Sequence, residues 1–502
     1  MENECRQIVV MGAGLAGLAA AVSAREKGAQ VLVLESRKRV GGISVTGMGL
    51  FAVESHLQKE LNLDSVFSKD DAFHYIMDRT QWKLDGKVAR AYVDKSADTI
   101  QWLEDMGVRF ELMSKVTFPG EMHQTGHLVN SEKSGIGANA TADLIDKLCQ
   151  RALDLGVEVR TGAAVVDIEK TSAGYKVTYK NAAEECFDIQ AEAVVITAGG
   201  YMHDAEMMAH TDNGFTLNGN VGMVNNIPLT GDGIRLAWKL GAVPDKMSLM
   251  LTSYCDGEYF PRSAQTQPLW DLMMFSFPYL WVNKQGERFV DEGAMNGCYL
   301  ANAIARQKDG AYFMILDQAT KEKIQKEGPD IWGYLSDNIK LDLDEMFDAV
   351  IAAGADNYYR ADTMEELAEQ MGVPYGALKE NVDAYNAGCH KGYDPLFDKK
   401  RKFLRPVETP KFYGIRRKNA SYGSVGGIRI DSLARAIGKD SEPVLGLYAA
   451  GDCANSMVAN DLGIMYSLWG SCLGFAANFG RIAGEAAADY VQCRRKEETK
   501  DE

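Results

Sequence analysis

IVVMGAGLAGLAAAVSAREKGAQVLVLE, residues 8–35, decides the fold class of this chain. Ile8–Met11 is an apolar run of strand length, the glycines after it mark a turn, the alanine-rich run reads as a helix, and Val31–Leu34 is a second apolar run ending in Glu35. The order is strand, turn, helix, strand: a βαβ unit. Within it Gly12 permits a tight turn, Gly14 lets backbone approach a pyrophosphate, and Gly17 lets the helix pack against the strand. Amides at the helix start donate to the phosphates, and Glu35 stands where an acid takes ribose hydroxyls. A tight packing turn is the alternative reading of the glycines alone. The strand before them, the helix after them and the acid beyond together predict a dinucleotide site.

The residues after Glu35 select the dinucleotide. SRKRVGGISVTG (36–47) places a basic cluster before Gly41-Gly42, a pattern that favours FAD over NAD. Three later segments are apolar strands or glycine turns where backbone must pass close to something: VVITAGGY (194–201), TGDGIRLAWKLGA (230–242) and VLGLYAAGDCA (444–454).

The gross composition agrees with a globular enzyme. The chain has 502 residues, 46% hydrophobic and 25% charged, enough for two or three packed units. Its net charge of −16 argues against nucleic acid or anionic lipid as partners. Nine cysteines without a CxxC pair suit a reducing cytosol, so a cytoplasmic location is expected. MENECRQIVVMG leaves no room for a leader peptide, and no run of about 18 apolar residues predicts a membrane span.

The chain resembles the flavoprotein superfamily of fumarate reductase and succinate dehydrogenase flavin subunits, urocanate-type reductases and 3-ketosteroid dehydrogenases. The likeness rests on the N-terminal fingerprint, TAGGY, TGDGIRLAWKLGA, WVNKQGERFVDE (281–292), YGSVGGIRID (422–431) and LYAAGDC, in that order. It implies an α/β fold: a Rossmann-like FAD-binding domain in two segments, 1–246 and 405–502, with an α+β capping domain, 247–404, inserted between them. The amphipathic stretch TMEELAEQMGVPYGALKENVDAYNAG (363–388) suits such an insertion. FAD contacts are then expected from Gly12, Gly14, Gly17, Glu35, Gly42, Ser44, Val165, Ala198, Gly199, Asp232, Gly451 and Asp452, the last on the ribityl or pyrophosphate part. Covalent attachment in this superfamily uses a histidine just after the double glycine; GGISVTG has none, so FAD is expected to be non-covalent.

The resemblance also locates chemistry. Fumarate reductases carry an arginine four places after an "ERFVNE"-like motif, a histidine before a "TMGG" segment, and a second arginine near the C-terminal helix. The corresponding residues here are Asn296, Gly423, and Ser467 or, with a gap at ANDLG, Asp461. No cationic clamp for a dicarboxylate stands in those places. The 3-ketosteroid dehydrogenase pattern, a tyrosine four residues before a glycine, falls instead on Tyr466 and Gly470. There a protonated phenol, pKa about 10, and a helix-start amide would both donate to a ketone oxygen. Packing at a domain seam is the other account of the pair, and core packing accounts equally for Met457, Met465 and Trp469. Asn296 cannot exchange a proton, so Tyr299 or Tyr422 is the candidate for that role. His123 and His127 are separated by a glycine that breaks a shared helical face, and no metal is expected.

The expected activity is hydride transfer between flavin N5 and the C=C or CH–CH of an apolar, ketone-conjugated substrate, in the manner of a 3-ketosteroid dehydrogenase or ene-reductase. The partners are a small apolar carbonyl compound and an unidentified electron donor or acceptor. Two alternatives are a reductase of an unsaturated carboxylate of fumarate or urocanate type, and an FAD electron-transfer subunit serving another protein.

Overall fold

A computed structural model of the protein describes residues 4–60, 67–112, 124–137, 139–211, 215–217, 219–224, 227–252, 278–294, 297–330, 342–459, 462–464 and 467–501. The main sheet grows from the fingerprint. β1 (Glu4–Met11), β2 (Val31–Glu35), β6 (Glu158–Thr161), β9 (Cys186–Ile196) and β17 (Pro443–Ala449) run parallel in the order β17-β9-β1-β2-β6. β16 (Arg435–Ile437) pairs antiparallel with β17 at one edge, and the hairpin of β7 (Ala164–Thr171) and β8 (Gly174–Lys180) adds antiparallel to β9. Ile8–Val10, Leu32–Val33 and Val194–Ile196 are fully buried, which explains why these strands read as unbroken apolar runs.

The helix Leu15–Glu26 buries ten consecutive residues, Leu15–Ala24. One of its sides lies against the C-terminal helix Ser471–Asp501 at backbone contact. A Cβ on Gly480 would stand 2.4 Å from the Ala16 carbonyl oxygen, and one on Gly484 would stand 2.1 Å from that of Ala20. Glycines four apart on one helix and alanines four apart on the other share a face and meet. The first and last helical segments of the chain are therefore one packed pair.

A second sheet is organised on β15 (Phe412–Val425). Its first half pairs with β13 (Ala311–Asp317) and β14 (Tyr358–Ala361), its second half with β10 (Val221–Met223) and β11 (Ser248–Thr252), and β12 (Leu280–Asn283) closes on β13. Alternation along β12 and β13 divides the core. Trp281, Tyr312 and Met314 face one apolar cluster; Leu280, Val282, Phe313 and Ile315 face another, covered by helices Met364–Met371 and Tyr375–Lys391. Those two helices are the amphipathic stretch at 363–388, interrupted at Gly372–Pro374.

The turn after β12 is tied down by a buried ionic group. Arg288 donates to Glu292 and to Asp394, two bonds each at 2.9 to 3.0 Å, and Lys399 lies 3.1 Å from Glu292. Burial opposes the charge on Glu292, but Lys399 and Arg288 outweigh it and hold the carboxyl below its ordinary range. A small third sheet, β3 (Gly49–Phe51), β5 (Gly126–Val129) and β4 (Phe110–Leu112), joins the main sheet region to the start of the C-terminal helix.

Candidate active site

The carboxyl ends of the parallel strands open into a cleft. Gly12 follows β1, Glu35 ends β2, Thr197–Gly199 follow β9 and Gly451–Asp452 follow β17. This is where open α/β sheets bind ligands. Gly12 has φ +102°, and a Cβ there would lie 2.6 Å from the Thr197 carbonyl oxygen. A Cβ on Gly17 would lie 1.9 Å from the Gly12 carbonyl oxygen, so its role is helix-to-strand packing. At Gly14, by contrast, nothing stands closer than 3.8 Å, so the absence of a side chain there leaves room in the cleft.

Donors surround that space. Gly14 caps the helix Leu15–Glu26 without a side-chain bond, and the amides of Gly14, Ala16 and Gly17 have no partner among the described residues. Unpartnered amides at a helix start suit a diphosphate. Glu35 is buried; its carboxylate accepts from the Ala13 and Arg37 amides, both at 2.8 Å, and this fixes it at the cleft wall. Ser44 reaches the Leu15 amide at 3.4 Å. Asp452 lines the cleft with what accessible surface it retains, and enclosure by protein elsewhere pushes its carboxyl up to about 7. These features fit a dinucleotide with a diphosphate and a ribose.

Eleven of the twelve residues expected to contact FAD line this cleft: Gly12, Gly14, Glu35, Gly42, Ser44, Val165, Ala198, Gly199, Asp232, Gly451 and Asp452. Gly17 lies behind them. Asp232 is at the exposed edge, where Thr230 donates to it at 2.6 Å. Sequence reasoning missed Arg37, Thr197 and Leu229, which also line the cleft. Thr197 ties β9 to the turn through its hydroxyl, donating to Met11 and Gly12; no motif marks it.

Of the residues expected to act on substrate or weighed as ligands, Tyr466, Asn296, Asp461, Met465 and His123 lie outside the described residues. Gly470 has φ +82°, and a Cβ there would lie 2.2 Å from the Leu50 carbonyl carbon, so close packing on β3 by itself demands glycine. Its carbonyl accepts from the Phe51 amide at 2.9 Å, while its own N–H has no partner among the described residues. Tyr299 is 41% exposed, its ring against Gly463 and 5.3 Å from the Arg79 guanidinium. Tyr422 packs on the same apolar cluster as Trp469. Around Gly423, where the resemblance sets a histidine, a Cβ would meet Leu229, Ile43 and Met250 at 3.1 to 3.2 Å. The histidine's place is walled by aliphatic carbon.

His127 is no surface ligand. Its Nδ1 donates to the Thr125 carbonyl at 3.0 Å, its Nε2 accepts from the Ser55 hydroxyl at 2.7 Å, and burial lowers its pKa to about 4. Among the described residues no group of three His, Cys, Asp or Glu side chains could hold a metal ion, and no helix is long and apolar enough to cross a membrane.

Comparison with known proteins agrees with FAD as the cofactor. Residues 7–472 match the family described as FAD binding domain. A vinyl phenol reductase of Lactiplantibacillus plantarum is 32% identical over 98% of each chain. A cytochrome-type fumarate reductase of Shewanella frigidimarina is 25% identical over 96% of this chain and 77% of its own. The fold is also that of a 3-ketosteroid Δ1-dehydrogenase from Sterolibacterium denitrificans, with TM-score 0.74 and 19% identity over 97% of this chain and all of the other. The chain belongs to the FAD binding domain family and is an FAD-dependent oxidoreductase of the fumarate reductase type.

Proposed function

We propose that the protein transfers a hydride to, or in reverse from, the carbon–carbon bond of an uncharged alkene conjugated to an oxygen function: a ketone, as in 3-ketosteroids, or a phenol. The observation that carries this is the apolar wall of Ile43, Leu229 and Met250 at Gly423. A carboxylate needs a cation or several donors when it leaves water, and carbon supplies neither. The relative that shares 32% of its residues is named for a vinyl phenol, a substrate without a carboxylate.

FAD, when bound, supplies or accepts the hydride. The chain's own residues do the rest. The Gly470 N–H, at the start of the C-terminal helix, and the Tyr466 hydroxyl donate to the substrate oxygen as charge gathers on it. Tyr299 or Tyr422 moves the balancing proton. Residues 247–404 cap the cleft formed by 1–246 and 405–502, and GGISVTG, lacking a histidine, leaves FAD non-covalent. The chain works in a reducing cytoplasm, in keeping with seven described cysteines of which none is in a disulfide.

A second reading, reduction of an unsaturated carboxylate, is favoured by one contact: Arg79 beside Tyr299, a cation outside the family's usual places. Anaerobic mixing of the reduced holoenzyme with a 3-ketosteroid enone, 4-vinylphenol, fumarate and urocanate distinguishes them. Reoxidation by the first two alone is the expected result. Reoxidation by an acid alone, lost in Arg79→Ala, establishes the second reading and removes the first.

A further inference from the structure

The peptide that joins Trp469 to Gly470 is held through its carbonyl, which accepts from the Thr125 hydroxyl at 3.2 Å. This peptide is trans, so its carbonyl and its N–H point in opposite directions and a fixed carbonyl fixes the N–H. The N–H is that of Gly470, which has no partner among the described residues. The next peptide along is pinned as well: the Gly470 carbonyl accepts from the Phe51 amide at 2.9 Å and from the Gly474 amide at 2.8 Å. Gly470 is thus fixed on both sides while its own donor stays unused.

Thr125 has a rigid support of its own. It is fully buried, and its carbonyl accepts from the Ala52 amide at 2.9 Å and from His127 Nδ1 at 3.0 Å. His127 is held in turn by the Ser55 hydroxyl at 2.7 Å. A buried hydroxyl needs an acceptor, and the Trp469 carbonyl is one. Packing alone would be met as well by valine, which has the same shape. A bond to the carbonyl of a peptide also polarises that peptide and makes its N–H a stronger donor.

We propose that Thr125 is a positioning residue for hydride transfer: through the Trp469 carbonyl, its hydroxyl aims the Gly470 N–H at the substrate oxygen and strengthens it as a donor. The proposal rests on the reading of that N–H as one of the two donors to substrate. Thr125 acts through the peptide and not on the substrate itself.

The test uses holoenzyme with Thr125→Val, which loses the hydroxyl and keeps the backbone carbonyl, and Thr125→Ser, which keeps both. One readout is single-turnover reoxidation of reduced enzyme by a 3-ketosteroid enone and by 4-vinylphenol. The other is the ionised fraction of 4-cyanophenol bound to oxidised enzyme, read from its nitrile stretch, because a stronger donor favours the phenolate. Thr125→Val should slow hydride transfer about tenfold with substrate affinity little changed, since charge gathers on the oxygen mainly in the transition state. It should also shift the ionisation of bound phenol toward the neutral form about three- to tenfold. Thr125→Ser should restore both, with FAD content and melting temperature close to those of the parent; Thr125→Ala repeats the comparison if Thr125→Val does not fold. Unchanged hydride transfer and phenol ionisation in the variants without the hydroxyl overturn the proposal alone. So do losses that follow the melting temperature and are not restored by serine. Parent enzyme that neither ionises the phenol nor is reoxidised by either compound removes the Gly470 donor itself, and the role of Thr125 with it.

Discussion

The cofactor cleft and the substrate side differ in what their positions require. In the cleft the requirements are steric and local: Gly12 and Gly17 cannot carry a Cβ against neighbouring carbonyls, and Glu35 is fixed by two backbone amides. On the proposed substrate side they are single side chains, and at Gly423 the one that the resemblance sets there is absent. A binding frame made of backbone tolerates few residue types. A reacting surface made of side chains can be rewritten one position at a time on the same frame.

Breaking the frame should have the largest effect. Gly17→Val places carbon where the Gly12 carbonyl oxygen lies, costing about 3 kcal/mol or more through overpacking. Purified variant should be colourless or aggregated; yellow, stably folded protein with full FAD content contradicts the packing account.

The comparison sharpens next at Tyr466. Tyr466→Phe should keep FAD and thermal stability while slowing hydride transfer on the order of a hundred- to a thousandfold, the usual loss for one oxyanion donor. Single-turnover reoxidation beside a melting curve measures both. Gly470→Ala cannot serve, since its Cβ would strike Leu50 whatever the amide does.

Asp452 gives a pH signature. Its carboxyl is raised to about 7 in the folded, flavin-free protein, above the unfolded value near 4. The folded state therefore binds the extra proton between those values, and stability falls as pH rises through that window. The apoprotein should melt higher at about pH 5 than at about pH 8, and Asp452→Asn should flatten the difference. An apoprotein equally stable at both removes the buried carboxyl from the account. The smallest effect belongs to Glu35→Ala, one ribose contact among many, which should weaken FAD by about 1 to 3 kcal/mol in an equilibrium titration.

Most of the cleft was legible because each of its residues answers a nearby constraint: a turn, a helix start, a strand end. The helices at 364–371 and 375–391 were legible for the same reason, through periodicity. β15 was not. KFYGIRRKNASYGSV places Arg417 and Asn419 at fully buried positions in a strand, against the alternation that announces one. What meets them comes from far along the chain, the Ala301 carbonyl at Asn419 and the Tyr312 ring at Arg417, a tertiary fact with no local sign. Thr197 escaped notice similarly, because its hydroxyl works only once β1 and β9 are side by side.

The contact of Ala16 and Ala20 with Gly480 and Gly484 sets a timetable for synthesis. A ribosome adding roughly 5 to 20 residues per second takes about half a minute to a minute and a half to travel from the first helix to the last. Throughout that interval the alanine face of the first helix has been made and its cover has not. Domains that finish as they emerge face no such wait; here the nascent chain needs a chaperone, or its own later strands, to shield that face. An early motif is sealed late.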